Sequence, residues 1–318
     1  MKRKYLVLII LLLIVTNITS VLYLKVNSKD KTFEKSVNTY PLVDPLRNYL
    51  EQENYIVNVQ PLRGELNTLV DEFGRENVSI YIEFLNTGSN ISINPEVYIW
   101  SASLPKLPLA MSVMKKVEYG TWKMDNELVL MPIDKDDKSG SEDGSLWEYP
   151  VGTRFTVEKL LEELLVNSDN TAQKILFRNM HSDEIEKVTN DLGLEKLFNQ
   201  DGKMSAKEYS RFFRSLYSAS FLARDSSQKL LEWLDKSSFN QFLSNPIGSE
   251  ISFPHKYGEN VLQRAYADSG IVYLPNRPYL ITVMVQGSEE LSIDEDIQRT
   301  EKFMRQVSKL TYDYFINY

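Results

Sequence analysis

Ser103 and Lys106 stand three residues apart in the run Ser103-Leu104-Pro105-Lys106, directly ahead of the apolar positions Leu107, Leu109, Met111 and Val113. On a helix that spacing puts hydroxyl and amine on one face, where the amine can take the hydroxyl proton and leave a nucleophilic oxygen. The pattern is common. Ser-x-x-Lys also occurs at Ser28/Lys31, Ser112/Lys115 and Ser226/Lys229, and an isolated match is ordinarily a surface pair. Two further elements single out the pair at 103 and 106. Ser168-Asp169-Asn170 falls in the break between an apolar stripe at Leu160, Leu161, Leu164 and Leu165 and a helix beginning near Thr171; alone it reads equally as a helix N-cap. His255-Lys256-Tyr257-Gly258 precedes a β-like run at 261–267, and Lys-x-Gly alone carries almost no information.

Composition restricts the chemistry to such groups. The 318 residues include no Cys and only His181 and His255, which excludes a thiol nucleophile, a disulfide framework, a Cys-rich zinc site and a three-histidine metal centre. No cofactor or metal is expected. At 42% hydrophobic and 25% charged the chain is a folded globular one, and 36 basic against 44 acidic residues give a net charge of −8. That balance offers no bulk basic surface for phosphates, so nucleic acid is not an expected partner. Asp134, Asp136, Asp137, Glu142 and Asp143 are too irregularly spaced for a calcium loop and read as a solvated one. His255 reads as a strand-edge packing residue, and His181 as a solvated helix connection.

The elements that must position these groups follow from periodicity. Lys2, Arg3 and Lys4 precede an apolar stretch over 5–24, which as a helix would span roughly 30 Å. The basic flank predicts a signal anchor over 1–24 with the rest outside the cytoplasmic membrane, or a secreted protein if the segment is cleaved. Residues 25–60 are polar, carry scattered prolines and read as a stalk. The remaining domain, 61–318, opens with a helix through Leu62, Leu66, Leu69, Val70 and Phe73, stopped at Gly74, and a hairpin of alternating residues at 78–85 and 91–93. A mostly helical block over about 101–250 follows, with Thr156 as an N-cap and Ser205 with Glu208 as a capping box. Strand runs then return at 261–267, 270–274 and 279–286, separated by turn residues at Asp268-Ser269 and Pro275-Asn276. A last helix carries Ile297, Phe303, Met304, Val307, Leu310 and Tyr314. This order predicts an α+β sandwich: a five-stranded antiparallel sheet with the terminal helices on one face and an inserted all-helical subdomain.

Taken together, the three motifs resemble the serine β-lactamase and penicillin-binding superfamily, in which Ser-x-x-Lys, Ser-Asp-Asn and Lys-Thr-Gly recur in this order. The chain is most similar to the class A β-lactamases, over roughly 62 to the C-terminus. The similarity includes Ser103-Leu104-Pro105-Lys106-Leu107-Pro108, Pro150-Val151-Gly152, Ser168-Asp169-Asn170-Thr171-Ala172 and Ala267-Asp268-Ser269-Gly270-Ile271-Val272-Tyr273. The resemblance implies Ser103 as acylating nucleophile, Lys106 as its base and Ser168 as a proton relay to the leaving nitrogen. It also implies that Asn170 holds the substrate amide and the Lys106 amine, and that Asp169 fixes its loop. Lys256 would attract the carboxylate shared by β-lactams and D-Ala-D-Ala stem peptides. Gly258 completes the Lys-x-Gly motif, and the N–H groups of Ser103 and Glu259 would receive the oxyanion.

Two departures bear on activity. Lys256-Tyr257-Gly258 replaces Lys-Thr-Gly, so a phenol stands where a small hydroxyl would help to read the carboxylate. The loop that in class A enzymes carries the water-activating Glu is missing between Leu194 and the helix start at Met204-Ser205-Ala206-Lys207-Glu208; Glu195 is the only nearby carboxylate upstream of Asp201 and lacks the flanking pattern. The resemblance therefore implies a membrane-anchored serine hydrolase forming an acyl-enzyme with β-lactams or D-Ala-D-Ala peptides. The alternatives are a slowly or non-deacylating penicillin-binding or cell-wall-binding module, and an esterase or amidase using the same serine and lysine.

Overall fold

The structure, a computed structural model, describes Leu42 and residues 57–135, 144–194 and 202–317. In chain order these form α1 (Gln60–Phe73), β1 (Val78–Phe84), β2 (Ser89–Ile93), β3 (Ile99–Trp100), α2 (Lys106–Glu118) and β4 (Glu127–Val129). There follow β5 (Arg154–Thr156), α3 (Val157–Val166), α4 (Asn170–Arg178), α5 (Ser182–Asp191), β6 (Lys203–Met204), α6 (Ala206–Ser218) and α7 (Arg224–Asp235). The chain closes with β7 (His255–Asn260), β8 (Ala265–Val272), β9 (Tyr279–Gln286) and α8 (Ile293–Asn317). The expected anchor over 1–24 lies outside the described residues, and among those described no helix is long and apolar enough to cross a membrane. Leu42, Val57 and Val59, all within the stretch expected as a stalk, are buried in the two cores.

The α+β sandwich is as expected. Five strands run in the order β2-β1-β9-β8-β7, every neighbouring pair antiparallel. Period-two alternation divides the sheet between two cores. Tyr279, Ile281, Val283 and Val285 of β9 pack with Leu66 and Val70 of α1 and Phe303 and Val307 of α8. Leu280 and Met284 point the other way, towards Leu107 of α2 and Phe213 of α6. Burial on both faces explains why β9, the central strand, reads as an almost unbroken apolar run. In the helical block α2 is buried around its first nine residues, from Lys106 to Met114, so it is the axis about which α3, α4, α5 and α7 pack. Thr156 caps α3, accepting from Lys159 N, and Ser205 with Glu208 forms the capping box of α6. Two short ladders inside this block, β3 with β6 and β4 with β5, have too few residues for alternation to reveal them.

One segment differs from expectation. The runs at 261–267 and 270–274, divided by a turn at Asp268-Ser269, are instead the single strand β8, and the turn falls at 261–264, where Leu262 is 85% exposed and Arg264 has φ 50°. The remaining strand of the sheet is β7, so Lys256, Gly258 and Glu259 lie within a strand rather than ahead of one. Polar residues survive inside β8 because each has a partner. Asp268 pairs with His255 Nδ1 at 2.8 Å and accepts from Leu243 N at 3.2 Å, while Ser269 Oγ meets Thr282 Oγ1 at 2.7 Å. His255, on the sheet's edge strand, stacks on Phe253 at 4.7 Å as a packing residue would, and it also has a buried carboxylate partner in Asp268, which its sequence neighbours do not signal. His181 is exposed at the start of α5, and Asp134 is buried and paired with Arg178. The rest of that acidic stretch lies outside the described residues. In hydrogen exchange the amides of Asp268 and Ser269 should be protected to the same degree as that of Val283; exchange at the rate of Leu262 would restore the turn.

Candidate active site

The start of α2 leaves one hydroxyl half-buried and buries one amine completely. Pro105 is its N-cap and Pro108 its third residue, positions whose missing N–H has no partner to lose within the helix. Lys106 is therefore the first helical residue, with Ser103 in the turn before it, where Lys106 N donates to Ser103 O at 3.3 Å. That turn is held from two sides. Ser101 N and Oγ donate to Gly202 O at 3.0 and 2.8 Å, and Tyr209 Oη donates to Leu104 O at 3.0 Å. Burial pushes the Tyr209 phenol well above its ordinary range, so it remains a protonated donor. Ala102 sits at φ 48°, a left-handed conformation that costs a non-glycine residue about 1 kcal/mol.

The loop between α3 and α4 brings the second motif. Asp169 is the N-cap of α4, accepting from Ala172 N at 2.7 Å through one oxygen and from Leu146 N at 3.0 Å through the other. The triplet is therefore a helix cap, and the cap aims its neighbours Ser168 and Asn170 at Lys106 Nζ. Burial pushes the Asp169 carboxyl above the usual range, opposed by those two backbone N–H groups. Gly144 passes so close that a Cβ there would lie 2.3 Å from Asp169 Oδ2. Ser168 is at φ 53° and buried.

The third motif arrives on the edge strand β7. At Gly258 a Cβ would stand 2.9 Å from both Ser101 O and Ser103 N, so only glycine lets this strand lie against the Ser103 backbone. Glu259, half-buried, follows it on the strand.

The sequence-derived residues converge. Lys106 Nζ lies 3.0 Å from Ser103 Oγ and 3.0 Å from Ser168 Oγ, donates to Asn170 Oδ1 at 2.6 Å, and bonds the Ser168 carbonyl. Lys256 Nζ reaches the far side of the same Ser168 hydroxyl at 2.9 Å and donates to Tyr257 O at 2.9 Å. Neither lysine has exposed surface. Two partners of Lys106 are carbonyl oxygens, which only accept; two are hydroxyls, which give or take. This set accommodates a neutral amine, with two N–H bonds to the carbonyls and its lone pair towards a hydroxyl proton. Ser103, Lys106, Ser168 and Lys256 then form one chain along which a proton can pass.

Sequence reasoning missed Tyr209, Ser101 and Gly202, whose support runs through backbone atoms, and Phe239, whose ring stacks on Tyr257 at 3.7 Å with a 4° tilt. No local spacing signals any of them. Glu195 lies outside the described residues, and among the described residues no carboxylate bonds the hydroxyl of Ser103 or Ser168.

The fold and the ordered motifs are those of the serine β-lactamase and penicillin-binding class of protein, and the comparisons agree. The chain belongs to the beta-lactamase enzyme family, whose family model matches residues 61–315. It is 24% identical over 275 residues to Beta-lactamase VEB-1 of Pseudomonas aeruginosa, covering 79% of this chain and 89% of that one. It is 27% identical over 142 residues to Beta-lactamase regulatory protein BlaB of Streptomyces cacaoi, covering 45% of this chain and 44% of that one. The fold matches that of PBP-A with a TM-score of 0.71 at 21% identity, over 82% of this chain and 97% of that one. A variant of PBP-A is also known as an acyl-enzyme complex with penicillin G.

Replacing Asp169 with Ala strands the N–H groups of Leu146 and Ala172 and should cost about 2–4 kcal/mol, read as a lower urea midpoint at unchanged m-value. A change below about 0.5 kcal/mol would contradict this role for the carboxylate.

Proposed function

We propose that the protein is a serine acyl-transferase or hydrolase in which Ser103 forms an acyl-enzyme with β-lactams or D-Ala-D-Ala-type peptides. The observation that carries this reading is Lys106 Nζ placed 3.0 Å from both the Ser103 and the Ser168 hydroxyls. Ser103 Oγ adds to the substrate carbonyl carbon as its proton passes to neutral Lys106. An Oγ–C bond forms and the oxyanion is received by the N–H groups of Ser103 and Glu259, a contribution of roughly 3–4 kcal/mol in related arrangements. The proton continues from Lys106 through Ser168 Oγ to the leaving nitrogen as the C–N bond breaks. Asn170 holds the Lys106 amine and the substrate amide. Lys256, bonded to the other side of Ser168, keeps that hydroxyl polarised during transfer. The basic, apolar N-terminal sequence is consistent with action outside the cytoplasmic membrane, with residues 1–24 as anchor.

The second step, hydrolysis of the acyl-enzyme, requires a base for water. A second reading, a penicillin-binding module that deacylates slowly, is favoured by the short connection of 11 residues between α5 and β6, where only Glu195 and Asp201 are acidic. Similarity to a protein named as a β-lactamase regulatory protein points the same way.

Incubation with a fluorescent penicillin should label the protein covalently, and Ser103→Ala should abolish the label; a label that persists in this variant would overturn the proposal. Lys106→Ala should slow labelling by at least about 100-fold. Intact-mass spectra separate the two readings: loss of the bound β-lactam mass within seconds marks a hydrolase, and retention for hours marks the slow module.

A further inference from the structure

His255 opens β7 and directly precedes Lys256, and its ring fills a socket shaped for it. Nδ1 lies 2.8 Å from Asp268 Oδ1; facing a carboxylate, it carries the proton and donates. The Phe253 ring stacks on the imidazole with centroids 4.7 Å apart and a 12° tilt. Opposite His255 in the ladder stands Gly270, where a Cβ would lie 2.6 Å from His255 Cβ and 2.7 Å from the Phe253 ring, so only glycine leaves room for the stack. The proposed proton path uses none of these groups.

Asp268 is a junction. It has no exposed surface, and its second oxygen accepts from Leu243 N at 3.2 Å, in the segment between α7 and β7. The last helix, α8, fastens the same segment, with Ser308 Oγ donating to Leu243 O at 2.6 Å and Arg305 Nε to Gln241 O at 2.8 Å. Phe239, in that segment, stacks on Tyr257 at 3.7 Å. The residues on either side of Lys256 are therefore both held: His255 by Asp268 directly, and Tyr257 by Phe239, whose segment Asp268 anchors through Leu243.

β7 needs such a hold because it is the sheet's edge strand, laddered among the described strands to β8 alone. On its other side Gly258 lies against Ser103 N, Lys256 Nζ reaches Ser168 Oγ at 2.9 Å, and Glu259 carries the N–H proposed for the oxyanion. A strand with one ladder has a row of backbone groups without strand partners, and its tilt is left to side-chain contacts. Successive side chains leave a strand on opposite faces, so a bond to His255 on one face sets the direction in which Lys256 leaves the other. A displacement of about 1 Å among reacting groups is enough to slow a reaction about 100-fold. We infer that the His255–Asp268 pair positions the acylation site, holding β7 so that Lys256 meets the Ser168 hydroxyl and the Glu259 N–H faces the acyl oxygen on Ser103. This rests on the acyl-enzyme reading and adds two positioning residues to the same site.

The test follows acylation of the full-length protein by a fluorescent penicillin over a range of concentrations, which gives a rate constant at saturation for the molecules that become labelled. That constant does not depend on the fraction folded, so a loss of stability alone leaves it unmoved. His255→Leu, which fills the socket without a donor, should lower it by about tenfold or more, and His255→Val serves if that variant fails to fold. His255→Asn, whose Nδ2–H stands in for the Nδ1–H, should restore it to within about threefold of the unaltered protein. A rate constant in His255→Leu or His255→Val within about threefold of the unaltered protein, or one in His255→Asn as low as in His255→Leu, would overturn the inference while leaving the acyl-enzyme intact. Absence of labelling in the unaltered protein would instead defeat the acyl-enzyme reading, and the inference with it.

Discussion

Two lysine amines, both withdrawn completely from solvent, share a single serine hydroxyl. Burying an ammonium without partners costs several kcal/mol, so the chain must supply oxygen ligands from wherever it can. It draws them from the turn before α2, the loop between α3 and α4 and the backbone of β7. Those segments are remote in sequence, and only a fold that closes the helical block onto the sheet can bring them together. Much of the local architecture answers that demand: the prolines that start α2 at Lys106, the carboxylate of Asp169 that ties the loop to Leu146, and the missing side chain at Gly258.

The same constraint explains how the acidic chain handles its anionic background. Against a net charge of −8, the two lysines find neutral oxygens among the described residues, the hydroxyls and carbonyls of Ser103, Ser168, Asn170 and Tyr257. Carboxylates nearby are given other work: Glu163 is engaged by Lys159 and Asn167, and Asp169 by backbone amides.

Much of this could be read from sequence, for a physical reason. Ser103, Lys106, Ser168, Asn170, Lys256 and Gly258 are marked by their side-chain chemistry or its absence, and they fall in short motifs beside helix starts and strands, where capping and periodicity leave strong marks. The helices at Leu62–Phe73 and after Thr156 were legible for the same reason. Sequence misleads where polar residues with turn chemistry sit inside a strand. Asp268 and Ser269 have turn chemistry in isolation, and only tertiary partners, His255 and Thr282, make them strand residues. Supports that act through main-chain atoms, such as Tyr209 on the Leu104 carbonyl, leave no pattern at all, and the Tyr257–Phe239 stack joins residues with nothing in their spacing to link them.

Ala102, beside the proposed nucleophile, and Ser168, which carries the proposed relay hydroxyl, both hold a backbone conformation that side chains resist. Together they store roughly 2 kcal/mol, a sizeable part of a typical folding margin. The protein therefore keeps its working geometry under tension against its own stability. Selection for heat tolerance alone would favour glycine or asparagine at these two positions and let the site slacken, so durability and reactivity in this scaffold are drawn from one reserve.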